Sequence, residues 1–311
     1  MANFTLSPAQ LRQLDRQGFT RLPGAVPPEL LDRLRDTADR LEARALDEHA
    51  RACNSGTAAV FDAPGGPVVE RVNRLLEWCP EEVIDLLSSP PMMAIAREIC
   101  GADAVPVETD LLYKRPHPNG YVIWHQDARH AERCPYLNVG IYLDDAEIDD
   151  GCLRYVPGTH HELADICALA GEHGWDIPGA IDVPAQAGDI LVQHVMVLHA
   201  SRPKRRPNVR RTIYAGFRPA ASISAAKAQS EAWIEARRRW MALITARADA
   251  ADWPAAWRAA LPEGGTVAQE VAAVAALQEP PQPAHHCHKP IDHPDYPVPA
   301  DLRDGGRTAE M

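Results

Sequence analysis

An excess of positive charge, a long apolar run and a CxxC pair are all missing from this 311-residue chain. Its net charge of −11 argues against a general nucleic-acid or anionic-membrane binder, because such partners favour basic surfaces. No apolar stretch approaches the ~20 residues that span a bilayer. The opening "MANFTLSPAQ" lacks a basic region followed by an apolar core, so no secretory signal is expected. The seven cysteines (Cys53, Cys79, Cys100, Cys134, Cys152, Cys167 and Cys287) are odd in number and include no CxxC pair. That pattern predicts reduced thiols rather than a disulfide framework, and points to a cytoplasmic protein. What is present, 46% hydrophobic and 24% charged residues, supplies a sizeable core.

The pattern divides the chain into three parts and a tail. Residues 1–103 read as mainly helical: Ser7, Pro8 and Gln10 form a capping-box start, and Leu30, Leu34, Ala38, Leu41 and Ala45 make one apolar stripe. A short strand is expected at "GFTRLPGAV", and a further helix over 81–100, interrupted near Pro90 and Pro91. From 104 to 219 short apolar runs alternate with turn signals such as Asp149-Asp150-Gly151, Pro157-Gly158 and Gly188-Asp189, as in a sandwich or barrel. A second helical block covers 222–278, and a proline-rich tail runs from 279 to 311. Residues 1–278 are thus expected to form a single domain.

The run "YVIWHQDARH" turns from apolar residues to His125 and Asp127. Alternate side chains on a strand share a face, so this histidine and this carboxylate point the same way, with Trp124 and Gln126 opposite. A buried carboxylate must be paired or bind metal. Further along, "DILVQHVMVLHAS" supplies His194 and His199, which on one unbroken strand would face opposite ways, so one of them can join the pair. Two histidines and one carboxylate with open positions are the facial triad of non-haem Fe(II) oxygenases. Arg210 follows eleven residues after His199 and can offer a forked donor to a carboxylate.

Taken in order, these motifs resemble the phytanoyl-CoA dioxygenase family of Fe(II)/2-oxoglutarate oxygenases. "WHQD" is similar to its first metal-binding motif, "LDDAEIDDGCLRYVPGTH" to its Asp/Asn-Gly-Cys-Leu and Pro-Gly-Ser/Thr-His signature, and "GDILVQHVMVLHAS…NVRR" to its closing histidine-to-arginine segment. "GFTRLPGAVPPELLDRLR" is also typical, so the resemblance covers about residues 8–220. It implies a double-stranded β-helix, a cupin-like jelly-roll, buttressed by helices from both ends of the chain. It further implies His125, Asp127 and His199 as iron ligands. Arg210, helped by Ser201, would bind the distal carboxylate of 2-oxoglutarate, with Arg211 on the opposite strand face. Dioxygen would complete the reactants, and a small-molecule C–H bond would be hydroxylated with succinate and carbon dioxide as co-products. Asp127 speaks against halogenation, because halogenating relatives carry a small residue there. The family asparagine after the His-x-Ser motif is replaced here by "RPKRRP".

A cupin-like scaffold with an inactive metal site is the alternative from another class. His194 is expected to be a packed histidine, Trp124 a core residue, and the basic run Arg202–Arg211 a solvated loop. "HHCHKPIDH" (His285, His286, Cys287, His288, His293) has zinc-ligand types but no second spaced pair, which predicts a flexible or docking tail.

Overall fold

The computed structural model describes residues 4–53, 56–63, 65–116, 120–130, 135–248, 253–258 and 265–303. Cys134 lies outside them. Ser7 caps α1 (Pro8–Gln17), its hydroxyl accepting the Gln10 N–H while the Gln10 side chain accepts the Ser7 N–H. Strand β1 (Phe19–Leu22) and helix α2 (Pro28–Ala50) follow, then a hairpin of β2 (Ala58–Ala63) and β3 (Gly66–Val72). Helices α3 (Leu75–Trp78), α4 (Pro80–Leu87) and α5 (Pro90–Ile95) precede β4 (Ala104–Lys114), β5 (Val122–Gln126), β6 (Leu137–Tyr142) and β7 (Leu153–Val156). Helix α6 (Ile166–His173) leads to β8 (Ile181–Val183), β9 (Ile190–His194), β10 (Leu198–Ser201) and β11 (Arg210–Pro219). Helices α7 (Ala220–Ala226), α8 (Glu231–Arg247) and α9 (Val267–Ala276) come next, and β12 (His285–His286) is the last strand.

The strands form two antiparallel sheets, ordered β1-β9-β6-β11-β4-β3-β2 and β12-β5-β10-β7-β8. This is a mainly β fold with flanking helices. The sheets face each other across a core of Phe19, Tyr142, Leu153, Tyr155, Leu191 and Val197, in which the Phe19 and Tyr155 rings stack 4.2 Å apart. On the far side of the larger sheet, α2 lays its Leu34, Ala38 and Leu41 stripe against Leu111, Tyr113 and Ile213. Each fully buried leucine there is worth roughly 1.5–3 kcal/mol. The Tyr113 hydroxyl donates to the Ala38 carbonyl at 2.6 Å and pins the helix in place. On the far side of the smaller sheet, α6 and the C-terminal segment cover Trp124, Leu198 and Ala200.

Two expectations need correcting. Beyond the expected strand β1, the mainly helical N-terminal part adds the β2–β3 hairpin to the larger sheet. The tail takes the docked of its two expected forms, with β12 paired to β5. The cysteines are not all reduced: Cys167 and Cys287 form a disulfide across 120 residues, while Cys53, Cys79, Cys100 and Cys152 are free. A pair so far apart leaves no spacing signature, and tertiary folding alone brings it together. No helix among the described residues is long and apolar enough to cross a membrane.

Candidate metal and cosubstrate site

Strand β5 presents His125 to the space between the sheets, and Trp124 packs on the opposite face against Ile166, Trp175 and Tyr296. His199 on β10 lies directly opposite His125 in the ladder, and directly opposed residues share a face. Asp127 follows β5 at once. Its Oδ1 is 3.3 Å from His125 Nε2 and 3.7 Å from His199 Nε2. One ligand atom from each of the three lies within 4.8 Å of the others. His194 and His199 do not share a strand as expected. The chain turns over residues 195–197, so His194 ends β9 in the larger sheet and His199 sits in the smaller one. His194 stays outside the cluster and accepts the Met196 N–H.

Partners orient each of the three. Nδ1 of His125 bonds to the Ile123 carbonyl at 2.8 Å and Nδ1 of His199 to the Val197 carbonyl at 2.9 Å. A carbonyl only accepts, so both Nδ1 atoms carry a proton and each ring, when neutral, turns its Nε2 lone pair inward. Asn138 on β6 and Gln193 on β9 each donate to Asp127 Oδ2 at 3.0 Å, which leaves Oδ1 toward the imidazoles. Tyr155 in turn donates to Gln193 Oε1 at 2.7 Å. Such secondary bonds are the usual support of metal ligands. Burial acts to raise the Asp127 pKa, but the His199 and His125 charges and the bonds from His125 and Asn138 outweigh it and hold the carboxyl well below its ordinary range. Burial and the His125 charge push His199 down to about 4. For His125 burial works downward, yet the bond to Asp127 and its charge prevail and the pKa is raised. Two imidazole nitrogens and an ionised carboxylate, with secondary hydrogen bonds in place, fit a divalent first-row metal.

Deeper between the sheets lies a cationic floor. Arg210 opens β11 opposite Lys114 of β4, and Arg210, Lys114 and Ser201 are all buried. Arg210 Nη1 donates to the Gly151 carbonyl at 2.9 Å, while its Nε is buried with no partner. The Lys114 ammonium bonds to the Ser201 hydroxyl and, at 3.0 Å, to the Arg202 carbonyl. Neither cation has a carboxylate within ion-pair distance among the described residues. Burial and the Arg210 charge drive the Lys114 pKa well below its ordinary 10.5. Two adjacent buried cations of this kind call for an anionic partner. Gly151 belongs to the same floor. It adopts φ +83°, and a Cβ there would meet Lys114 Cε at 2.8 Å, so the Asp-Gly turn leaves room for the lysine. Arg211 points outward, forked onto Asp144 at 2.8 and 2.9 Å and bonded to Asp39.

The basic run is solvated at Arg205 and Arg206, as expected, but Lys204 is buried and the loop is tied down. Asp150 accepts the Arg205 and Arg206 N–H groups, each at 2.8 Å, and the buried Lys204 ammonium at 2.7 Å, which knits this loop to the Gly151 turn. Lys114, Asn138, Gln193 and Tyr155 had no sequence motif of their own; only cross-strand register brings them to the site. Arg71 is another such residue. It pairs in register with Leu112 and lies close enough to His125 for its charge to disfavour the protonated imidazole.

A family model described as phytanoyl-CoA dioxygenase matches residues 14–212. Among curated proteins, the chain is 28% identical to the rat phytanoyl-CoA dioxygenase domain-containing protein 1, over 45% of this chain and 54% of that one. It is 25% identical to a methylphosphonate hydroxylase of Gimesia maris, over 68% and 80%. The chain thus spans about half the length of the first of these relatives. Among solved structures, AviO1 from Streptomyces viridochromogenes Tue57 superposes with a TM-score of 0.57 at 30% identity, covering 70% of this chain and 97% of that one. HygX from Streptomyces hygroscopicus, crystallised with nickel and 2-oxoglutarate bound, shares the fold with a TM-score of 0.54 at 20% identity, over 70% and 88%.

Proposed function

For a chain that belongs to the phytanoyl-CoA dioxygenase family, we propose an Fe(II)/2-oxoglutarate-dependent oxygenase that hydroxylates a C–H bond of a small molecule. Fe(II), 2-oxoglutarate and dioxygen are its cofactor, cosubstrate and oxidant. His125, Asp127 and His199 hold the metal. Arg210, Lys114 and Ser201 hold the distal carboxylate of 2-oxoglutarate. When bound, the iron and 2-oxoglutarate supply the oxidising power, and succinate and carbon dioxide leave as co-products.

The protein's own contribution is placement. The Ile123 and Val197 carbonyls hold a proton on each Nδ1 and turn both Nε2 atoms inward, so metal binding need not first rotate the imidazoles. Asn138 and Gln193 hold one carboxylate oxygen of Asp127 and leave the other as ligand. The floor adds a fork from Arg210 and a point charge from Lys114, a pairing that selects a carboxylate over a neutral group. The two sheets exclude water from that anchor, which strengthens it.

The observation that carries this reading is the juxtaposition of an inward-facing triad with a buried, carboxylate-free pair of cations between the same two sheets. Anaerobic titration tests it. The protein should bind about one Fe(II) and then one 2-oxoglutarate, and the second event should depend on Arg210. A protein that binds neither would remove the reading.

A further inference from the structure

The C-terminal segment completes the edge of the metal-bearing sheet. Without it, β5 would be an edge strand. With it, His285 pairs with Gln126 and His286 with His125. Directly opposed residues share a face, so His285 faces outward with Gln126, and its Nε2 bonds to the Ala164 carbonyl at 2.9 Å. His286 shares the face of His125, and its ring lies 4.2 Å from that of His288. That face is partly open: the side chains of His125 and Asp127 keep 17% and 23% exposure, whereas His199 keeps 5%.

Four contacts tie the segment down. Cys287 is bonded covalently to Cys167 on α6. The Tyr296 hydroxyl accepts the Trp124 N–H at 3.1 Å. The Tyr296 ring packs 4.7 Å from that of Trp175. His293 sits so close to Gly174 that a Cβ there would meet its ring at 2.5 Å.

Resting on the metal-site reading above, we propose that residues 285–296 are a disulfide-clamped strap forming the substrate-side wall of the site, with His286 its pocket-facing, substrate-positioning residue. The open flank of the triad is where a small molecule must approach, and the strap sets an imidazole there. That imidazole can donate to or accept from the incoming molecule, so His286 selects for substrates with a polar group beside the oxidised carbon. The disulfide makes the wall conditional. Once it is reduced, the strap is held by a two-residue strand pairing, the His285 bond to Ala164 and the Ile291, Tyr296 and His293 contacts, all non-covalent, and short edge pairings are weak by themselves.

Co(II) can serve as the probe, since it needs neither oxygen nor a known substrate. Four proteins are loaded with Co(II) and mixed with excess EDTA: the disulfide-intact form, Cys167→Ala/Cys287→Ala, His286→Ala, and Lys289→Ala as an exposed control. Amide exchange across β5 is followed in parallel, and the intact chain treated with a phosphine reductant serves as a second unclamped form. Both unclamped forms should lose Co(II) several-fold faster and lose protection in β5. His286→Ala should release Co(II) faster with β5 protection unchanged, and Lys289→Ala should match the parent. Unchanged β5 exchange after the disulfide is broken would overturn the clamp. Faster β5 exchange with unchanged Co(II) release would overturn the wall. Failure of every form to bind Co(II) would instead sink the metal-site reading, and the exchange data would still decide the clamp.

Discussion

Arg210 and Lys114 stand directly opposite each other across the β11–β4 ladder, two buried cations with no carboxylate partner among the described residues. Like charges side by side in a dry site destabilise the ligand-free protein, and an anion that enters between them relieves the repulsion. In the function proposed above, the stability given up there would be recovered as affinity for the cosubstrate.

Truncating the fork should therefore weaken cosubstrate binding. Loss of one partner of a buried charge pair costs on the order of 2–5 kcal/mol, or about 30- to several-thousand-fold in affinity. Arg210→Ala should show that loss in a 2-oxoglutarate titration with metal binding intact, and Arg210→Lys should lose less. Arg211→Ala, whose side chain points out onto Asp144, should titrate like the parent.

Lys114 predicts a pH signature of stability. Its folded pKa lies below its unfolded 10.5, so between the two values the unfolded chain binds more protons and stability rises with pH. The denaturation midpoint of the ligand-free protein should climb as pH rises toward 10.5, and Lys114→Met should flatten that climb. At neutral pH the variant should be the more stable protein and the weaker 2-oxoglutarate binder.

Metal binding should release one proton rather than two. His125 has a raised pKa and keeps a proton below its ordinary 6.5, whereas His199 resists protonation down to about 4 and Asp127 stays ionised. Between those limits Co(II) affinity should fall about tenfold per pH unit as pH drops. A hundredfold fall per unit would mean that both histidines compete.

Asn138 and Gln193 should matter without touching the metal. Removing a secondary hydrogen bond of this kind typically lowers metal affinity about 10- to 100-fold. Asn138→Ala should fall in that range by calorimetry, and Asn138→Asp should be worse, since it sets a second carboxylate against Asp127 Oδ2.

The strand alternation around His125 and Asp127 was readable because period two is a local property of the chain. The outward face of Trp124 and the opposed faces of Arg210 and Arg211 follow from the same rule. His194 and His199 show where that rule stops. The turn at 195–197 moves the chain to the other sheet, and no parity argument crosses a change of sheet. Lys114, Asn138 and Gln193 sit on three strands distant in sequence, and register between those strands is a tertiary fact. The Cys167–Cys287 pair and the β12 strand were hidden for the same reason: a two-residue strand has no periodicity, and a 120-residue cysteine separation has no motif.

Succinate formation decides whether Asp127 carries the oxidation. Fe(II), 2-oxoglutarate and dioxygen are supplied with a panel of small molecules, and succinate is measured for the parent chain and for Asp127→Ala. The parent should form succinate, rising when a substrate is present, and Asp127→Ala none above background, with both proteins folded. Equal succinate from the two, or none from a parent chain that has bound its metal, would contradict it.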